Sequence, residues 1–199
     1  SVEGPAGSIL RAERIALNFM QRMSGIASET NRYVQAVQGC RSRIVDTRKT
    51  APGMRFLDKY AVRMGGGYNH RLNLADGILI KDNHIQALRS QELSLTEIIQ
   101  LALARASHTI KVEVEVETLE ETKEAVEAGA HIIMLDNMSP DLMRQAMELI
   151  DGRAVVEASG GITMGTVRAV AETGVDLISS GGLTHSSTAL DISLDLEFN

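Results

Sequence analysis

"AVVEASGGITMGTVRAVAETGVDLISSGG", residues 154–182, holds one whole repeat of the architecture. A short apolar run at 154–158 ends in Ser159-Gly160-Gly161, and a helical pattern follows over 163–173. A second apolar run at 175–179 then ends in Ser180-Gly181-Gly182. Strand, turn, helix, strand, turn is how a parallel β/α unit reads in sequence. Working outward, "RIV" (43–45), "GILI" (77–80), "TIKVEVEV" (109–116) and "HIIML" (131–135) read as further strands. Helical patterns lie between them at 54–64, 94–106, 119–128 and 140–150. Two helices, at 8–24 and at 29–39 with Gly39 closing the second, precede the first strand, and "LDISLDLE" (190–197) reads as a last strand.

Polar residues gather at the strand ends. In chain order these tips carry Asp46-Thr47-Arg48-Lys49, Lys81-Asp82-Asn83-His84, Glu115 to Glu117, Asp136-Asn137 and the two Ser-Gly-Gly turns. An open doubly wound sheet concentrates its site at one switch point, whereas a closed barrel draws on the C-terminal end of every strand. The expected fold is therefore α/β: a TIM-like parallel barrel, irregular and short of eight strands, preceded by helices. A single domain over 1–199, with a helical segment at about 8–39, accommodates it.

Composition narrows the function. The chain is 44% hydrophobic and 23% charged, which suits one folded core rather than disorder. With 26 carboxylates against 20 Lys and Arg, a general nucleic-acid surface is disfavoured. Cys40 is the only cysteine, so no intrachain disulfide forms. No run of about 18 apolar residues spans a membrane and no leader opens the sequence. A cytoplasmic protein is expected.

Against that acidic background, Arg48, Lys49, His70, Arg71 and Lys81 cluster near two tips. Arg presents a planar fork to carboxylate or phosphate and Lys a compact charge, so the set suits a small polyanion. A charged turn is the ordinary alternative. In "KVEVEVE" (111–117), Lys111, Glu113, Glu115 and Glu117 share one face. Charges inside a barrel must be paired, hydrated at a rim or used. Glu115 and Glu117 lie nearest the tips, and Lys111 is the expected partner of Glu113. The turns at 159–161 and 180–182 let backbone N–H groups converge on phosphate. Triple glycine 65–67 permits a sharp reversal before His70. His108 and His131 open strands and read as structural, and no Cys/His spacing suggests zinc. Without any name, these residues describe an enzyme acting on a phosphosugar and a second polyanionic substrate.

"ERIALNFMQRMSGIA" (13–27), "DTRKTAPGMR" (46–55), "KYAVRMGGGYNHRLNLADGILIKDNHI" (59–85), "KVEVEVETLEE" (111–121), "IIMLDNM" (132–138), "VEASGGIT" (156–163) and "TGVDLISSGGLTHS" (173–186) together resemble the quinolinate phosphoribosyltransferases, the carboxylating nicotinate-nucleotide pyrophosphorylases. The resemblance implies transfer of phosphoribosyl from phosphoribosyl pyrophosphate to quinolinate with decarboxylation, giving nicotinate mononucleotide, pyrophosphate and CO2 for NAD synthesis, with Mg2+. It implies that Arg48, Lys49, His70, Arg71 and Lys81, beside Thr47, cradle the quinolinate carboxylates and nearby phosphate. Lys49, Lys81, Glu115 and Asp136 would be catalytic, with Glu115 and Asp136 facing the ribose and meeting Mg2+ through water or pyrophosphate. Ser159, Gly160, Gly161, Ser180, Gly181, Gly182 and His185 would hold phosphate. Arg14 would reach a neighbouring subunit's site, in a homodimer or higher homo-oligomer. Neither nucleic acid nor membrane would be a partner. The family also carries a preceding α/β domain, which is not expected within these residues. A molybdenum-associated relative acting on another substrate and a non-catalytic phosphoribosyl-ligand binder are the rivals. A Schiff-base aldolase fits less well, because Lys81 sits among charges.

Overall fold

The computed structural model describes residues 1–197. A long helix α1 (Ala6–Ala36) leads into β1 (Arg43–Val45), α2 (Arg55–Met64) and β2 (Ile78–Ile80). Two helices, α3 (Asp82–Arg89) and α4 (Leu95–Arg105), precede β3 (Val112–Val116). Regular alternation then runs through α5 (Leu119–Glu127), β4 (Ile132–Asp136), α6 (Pro140–Ile150), β5 (Val155–Ser159), α7 (Val167–Ala171), β6 (Leu177–Ser179) and α8 (Gly182–His185). The strands form one six-stranded sheet in the order β1-β6-β5-β4-β3-β2, and every pairing is parallel. The two edge strands, β1 and β2, are not paired with each other; residues 68–71 stand between them, bridged to β1 through Val45 and Tyr68. The result is an irregular α/β barrel flanked by helices.

Its interior inverts the usual distribution of polarity. Val112, Val114 and Val116 of β3, Ile133 and Leu135 of β4, Val156 and Ala158 of β5 and Ile178 of β6 are buried within the hydrophobic core. The alternate positions, Glu113, Glu115, Met134, Glu157 and Ser179, line cavities in the barrel instead. Period-two alternation thus sends aliphatic side chains outward to the helices and most of the chemistry inward. Nearly all of the core is Ile, Leu, Val, Ala and Met, as the near-absence of aromatics required.

Three local expectations differ from the structure. The two N-terminal helices are one, running through "SGIAS" (24–28), because that stretch has no proline and Gly25 is needed for close packing. A Cβ at Gly25 would lie 2.2 Å from the carbonyl oxygen of Thr188. Second, "LDISLDLE" forms no strand: Leu190 N donates to Gln21 O (3.0 Å) and Gln21 Nε2 to Ile192 O (3.0 Å), so this tail lies along α1. Third, the strand-tip residues Asp82-Asn83-His84 open a helix, α3, that is not among the expected helical patterns; His84 Nδ1 accepts the N–H of Lys81 (3.0 Å) and fixes that helix start. Among the described residues no helix is long and apolar enough to cross a membrane.

The triple glycine does more than turn the chain. A Cβ on Gly65 would lie 2.3 Å from the Ala27 carbonyl oxygen, and one on Gly67 2.7 Å from Thr30 Cγ2. Glycine here lets the segment that leads to His70 press against α1. Gly65 has an ordinary φ of −75°, so substitution there is opposed by contact alone. Gly65→Ala is expected to lower unfolding free energy by about 1–3 kcal/mol through overpacking, read as a reduced urea midpoint with unchanged slope.

Candidate active site

Buried charge organises the first part of the site. Asp46, fully buried at the end of β1, forms an ion pair with Lys59 of α2, itself 4% exposed. Asp46 also accepts the backbone N–H of His70 (2.8 Å) and Asn69 Nδ2 (2.6 Å), while Lys59 Nζ donates to His70 O (2.9 Å). Burial raises the Asp46 carboxyl above its ordinary range, and Lys59, Asn69 and the His70 amide partly offset that rise. These bonds fix the backbone from which His70 and Arg71 project. Arg71 is held further by its own Nη1, which donates to Gly77 O (3.1 Å).

A second buried carboxylate ties down the loop after β1. Asp58 accepts Arg22 in a two-pronged pair (2.9 and 2.8 Å) and the N–H of Ala51 (3.1 Å). Arg22 also reaches Thr184 O (3.2 Å), and Thr184 Oγ1 donates to Lys49 O (2.8 Å). Helix α1, the 47–54 loop and α8 are therefore joined through side chains.

The tips enclose a cavity of about 400 Å³ at the C-terminal ends of the strands. Arg48, Lys49, His70, Arg71 and Lys81 line it, beside Thr47, as do the carboxylates Glu115 and Asp136. Ser159, Gly160 and Gly161 complete its rim. Glu117 is not part of its wall, and its backbone N–H donates to Glu121 Oε2 (3.1 Å) at the start of α5. Glu115 stands 3.6 Å from Lys81. Burial raises its carboxyl, with Asp136 and Asp82 adding to the rise and Lys81 opposing it. Arg71 is lowered by burial and by the neighbouring charge of Arg48.

Gly160 and Gly161 both take positive φ (85° and 61°). A Cβ on Gly160 would lie 2.3 Å from Asn137 Oδ1, so this turn is closed against the β4 tip. Asn137, itself at φ 52°, lines the cavity and donates to Asp136 Oδ2 (2.6 Å). The second glycine turn, Ser180-Gly181-Gly182, and His185 are not in the cavity wall but stand beside it. A Cβ on Gly181 would touch Lys49 Cδ and the His185 ring at 3.0 Å. Arg14 is exposed on α1 and away from the cavity of its own chain.

Two site residues were not anticipated. Glu113 does not pair with Lys111; it and Glu157 converge on His70, with their Oε2 atoms 3.3 and 3.6 Å from Nε2. These donors all lie within 4.8 Å of one another, a spacing at which three ligands could meet one metal ion. His70 Nδ1, however, accepts the N–H of Arg71 (2.8 Å), which puts the imidazole hydrogen on Nε2, between the two carboxylates. Burial opposes charge on His70, but Glu113 and Glu157 more than reverse this and raise it. Burial and the Glu113 charge push Glu157 up to about 7. The period-two position of Glu157, two residues before Ser159, was the available signal.

A second cavity, of about 310 Å³, lies at the opposite ends of the strands and shares His70, Arg71 and Glu157 with the first. Among the described residues, the buried side-chain polar atoms lacking any partner are Arg48 Nε, Glu113 Oε1, Glu157 Oε1 and Ser179 Oγ. All four residues line one or other cavity. Unsatisfied buried groups are rare in folded proteins, and here they gather at the walls of the two cavities. His131 is structural, its Nδ1 accepting the N–H of Val112 (3.0 Å).

Comparison with known proteins agrees with this geometry. Residues 26–195 match the family described as quinolinate phosphoribosyl transferase, C-terminal domain. The probable nicotinate-nucleotide pyrophosphorylase (carboxylating) of Bacillus subtilis is 49% identical over 195 residues, covering 98% of this chain and 66% of that protein. Its counterpart from Synechocystis is 45% identical over 202 residues, covering 100% of this chain and 67% of that one. The crystal structure of NadC from Streptococcus pyogenes superposes with a TM-score of 0.89 at 50% identity, covering 94% of this chain and 65% of that one. The chain thus spans about two thirds of the length of these relatives.

The raised Glu157 carboxyl has a consequence for stability. The folded state holds this proton up to about pH 7, whereas an unfolded glutamate releases it near 4.5. Stability from this group is therefore full below about 4.5 and is lost as pH rises towards 7. Glu157→Gln removes the titration. Its stability relative to wild type should rise by roughly 1–3 kcal/mol between acid and alkaline conditions, as measured by urea unfolding across pH.

Proposed function

We propose, from the premise that the chain belongs to the quinolinate phosphoribosyltransferase family, that it carries the catalytic unit that makes nicotinate mononucleotide. The substrates are quinolinate and phosphoribosyl pyrophosphate, and the other products are pyrophosphate and CO2. What carries this reading is a cavity in which two arginines and two lysines face three acidic side chains, Glu115, Asp136 and Glu157, with buried partnerless atoms of Arg48, Glu157 and Ser179 in its wall.

The roles follow from charge. Arg48, Arg71 and Lys81, with Thr47, His70 and Lys49, clamp the two carboxylates of quinolinate and aim its ring nitrogen at the ribose. Ser159, Gly160 and Gly161 receive a phosphate on backbone N–H groups, and Ser180, Gly181, Gly182 and His185 extend that cradle beside Lys49. Lys49 and Lys81 offset the charge on departing pyrophosphate. The ribosyl carbon then becomes cationic, and Glu115 and Asp136 stabilise it while the nitrogen attacks. Glu115 and Asp136 offer the oxygen acceptors that would meet Mg2+ through water or the pyrophosphate, and Mg2+ when bound would supply further neutralisation of the pyrophosphate. Once ribosylated, the pyridinium nitrogen draws electrons from the neighbouring carbon, so its carboxylate can leave as CO2. No covalent nucleophile is needed.

Arg14 acts in a homodimer, reaching the cavity of the second subunit. In support, α1 exposes Leu10, Ile15, Phe19 and Met20, and the adjoining α2 exposes Phe56, Tyr60 and Met64. Apolar area of this kind on packed neighbouring helices suits a protein interface. One catalytic domain in the cytoplasm accounts for residues 1–199.

The test follows CO2 and nicotinate mononucleotide together, from quinolinate, phosphoribosyl pyrophosphate and Mg2+, with nicotinate as parallel substrate. Equal amounts of both products from quinolinate alone are expected. A product without CO2, or turnover only with another acceptor, would refute the reading. Arg71→Ala removes one arm of the carboxylate clamp and should raise the quinolinate KM about 30-fold or more. Arg14→Ala should lower activity, and mixing it with an inactive Lys81→Ala partner should restore part, because mixed dimers rebuild one intact site.

A further inference from the structure

We propose that Glu157, with His70 and Glu113, is the proton store of this site and supplies the hydrogen that replaces the departing carboxylate on the substrate ring. The inference rests on the decarboxylating reaction proposed above. Loss of CO2 breaks the bond between the ring carbon and its carboxylate, and the electron pair stays on that carbon beside the charged nitrogen. Nicotinate mononucleotide forms only when this pair takes a proton. The donor becomes its conjugate base and recovers a proton from water; no oxidant or reductant is involved.

The cations of the cavity suit this task badly. Arginine does not release a proton near neutrality. A lysine that did so would cancel a charge that the bound carboxylates and phosphates require. Glu157 has the opposite character. It is 1% exposed, yet it lines the substrate cavity from β5, and its Oε1 has no partner. Glu113 faces it from β3 and His70 from the segment after α2, while Ser179 of β6 and Asp46 at the end of β1 complete its polar surroundings. Asp46 is committed to Lys59, and the hydrogen on His70 Nε2 is fixed by the Arg71 amide at Nδ1. Two carboxylates flank that one N–H. Both ionised would set two buried negative charges against a single imidazole N–H, so the cluster retains a further proton, on Glu157. Its position near neutrality suits a general acid.

The second cavity provides for reloading. Glu157 and His70 line it as well, and its wall includes Arg43, Tyr68, Asp76 and Lys111, all exposed. With substrate filling the upper cavity, water can still approach the cluster from the opposite end of the barrel. The proton store is thus charged from one side and discharged on the other.

The experiment is single-turnover formation of nicotinate mononucleotide by the full-length protein across pH, comparing wild type, Glu157→Gln and Glu157→Asp. The wild-type rate should fall as pH rises through about 7. Glu157→Gln is as neutral as the protonated acid and fills the same space. It should bind quinolinate within about threefold of wild type by calorimetry, lose the pH-dependent fall and react on the order of 100-fold more slowly in acid. Glu157→Asp keeps a titrating carboxyl and should regain the fall. Product formed with a flat wild-type profile overturns the proton store, and so does a Glu157→Gln protein with wild-type rate and profile. In either case the proposed reaction stands. No nicotinate mononucleotide from wild type at any pH overturns both. Should Glu157→Gln not fold, the wild-type and Glu157→Asp profiles decide.

Discussion

The buried Asp46 carboxylate is the point on which the site depends. The sheet order leaves β1 and β2 without each other, and something must span the gap. Residues 68–71 do so, held by Asp46 through its bonds to Lys59, Asn69 and the His70 amide. A buried ion pair adds little net stability beyond an apolar alternative, but breaking one side of it costs about 3–5 kcal/mol. Here the pair performs a geometric task. It sets where the His70 ring and the Arg71 guanidinium emerge, and so where the proposed clamp, the proposed proton store and the wall between the two cavities stand.

Much of this was legible in the sequence, and what was not has identifiable causes. The strands and their polar tips could be read because parallel strands are short apolar runs and the chemistry follows at their ends. Thr47, Arg48, Lys49, Lys81, Glu115, Asp136 and the first glycine turn all meet in one cavity as that pattern predicts. Glu113 and Glu157 were harder. Each sits inside an apolar run, and only knowing that the barrel interior is polar tells which face of the strand matters. Their partner His70 lies far away in sequence, on a segment with no regular structure of its own. The break between the two N-terminal helices misled because Ser24, Gly25 and Ser28 lower helix propensity locally, whereas α1 is held by tertiary contacts with α2, α8 and the tail. The tail alternates like a strand but meets a helix backbone.

A protein with formal charge −6 gathers Arg48, Lys49, Arg71 and Lys81 in one cavity. The wider field of the molecule therefore does not favour approach of phosphorylated ligands, and attraction arises within the cavity. There the low dielectric strengthens each contact and penetrating salt weakens it less than at the surface. Inward-facing carboxylates temper this positive charge. Lys81 stands beside Glu115, and His70 beside Glu113 and Glu157, whereas Arg48 and Arg71 stand close enough for their like charges to oppose each other. That neighbourhood is where a ligand carboxylate would relieve the most repulsion.

The pairing of the first strand with the last bears on how such a chain is made. Arg43 stands beside Leu177 and Val45 beside Ser179, so β1 has no strand neighbour until β6 exists. On a ribosome, the four strands β2 to β5 can assemble in order as they emerge, each beside its predecessor. The strand that leads into Asp46, Arg48 and Lys49 waits until residues 177–179 have been made, and Arg22 waits for Thr184 as well. Such long-range closure is slow, and it exposes an unpaired edge while it is incomplete. Nascent chains of this fold therefore need protection at β1 above all, and the active site arises in one late step when the barrel shuts.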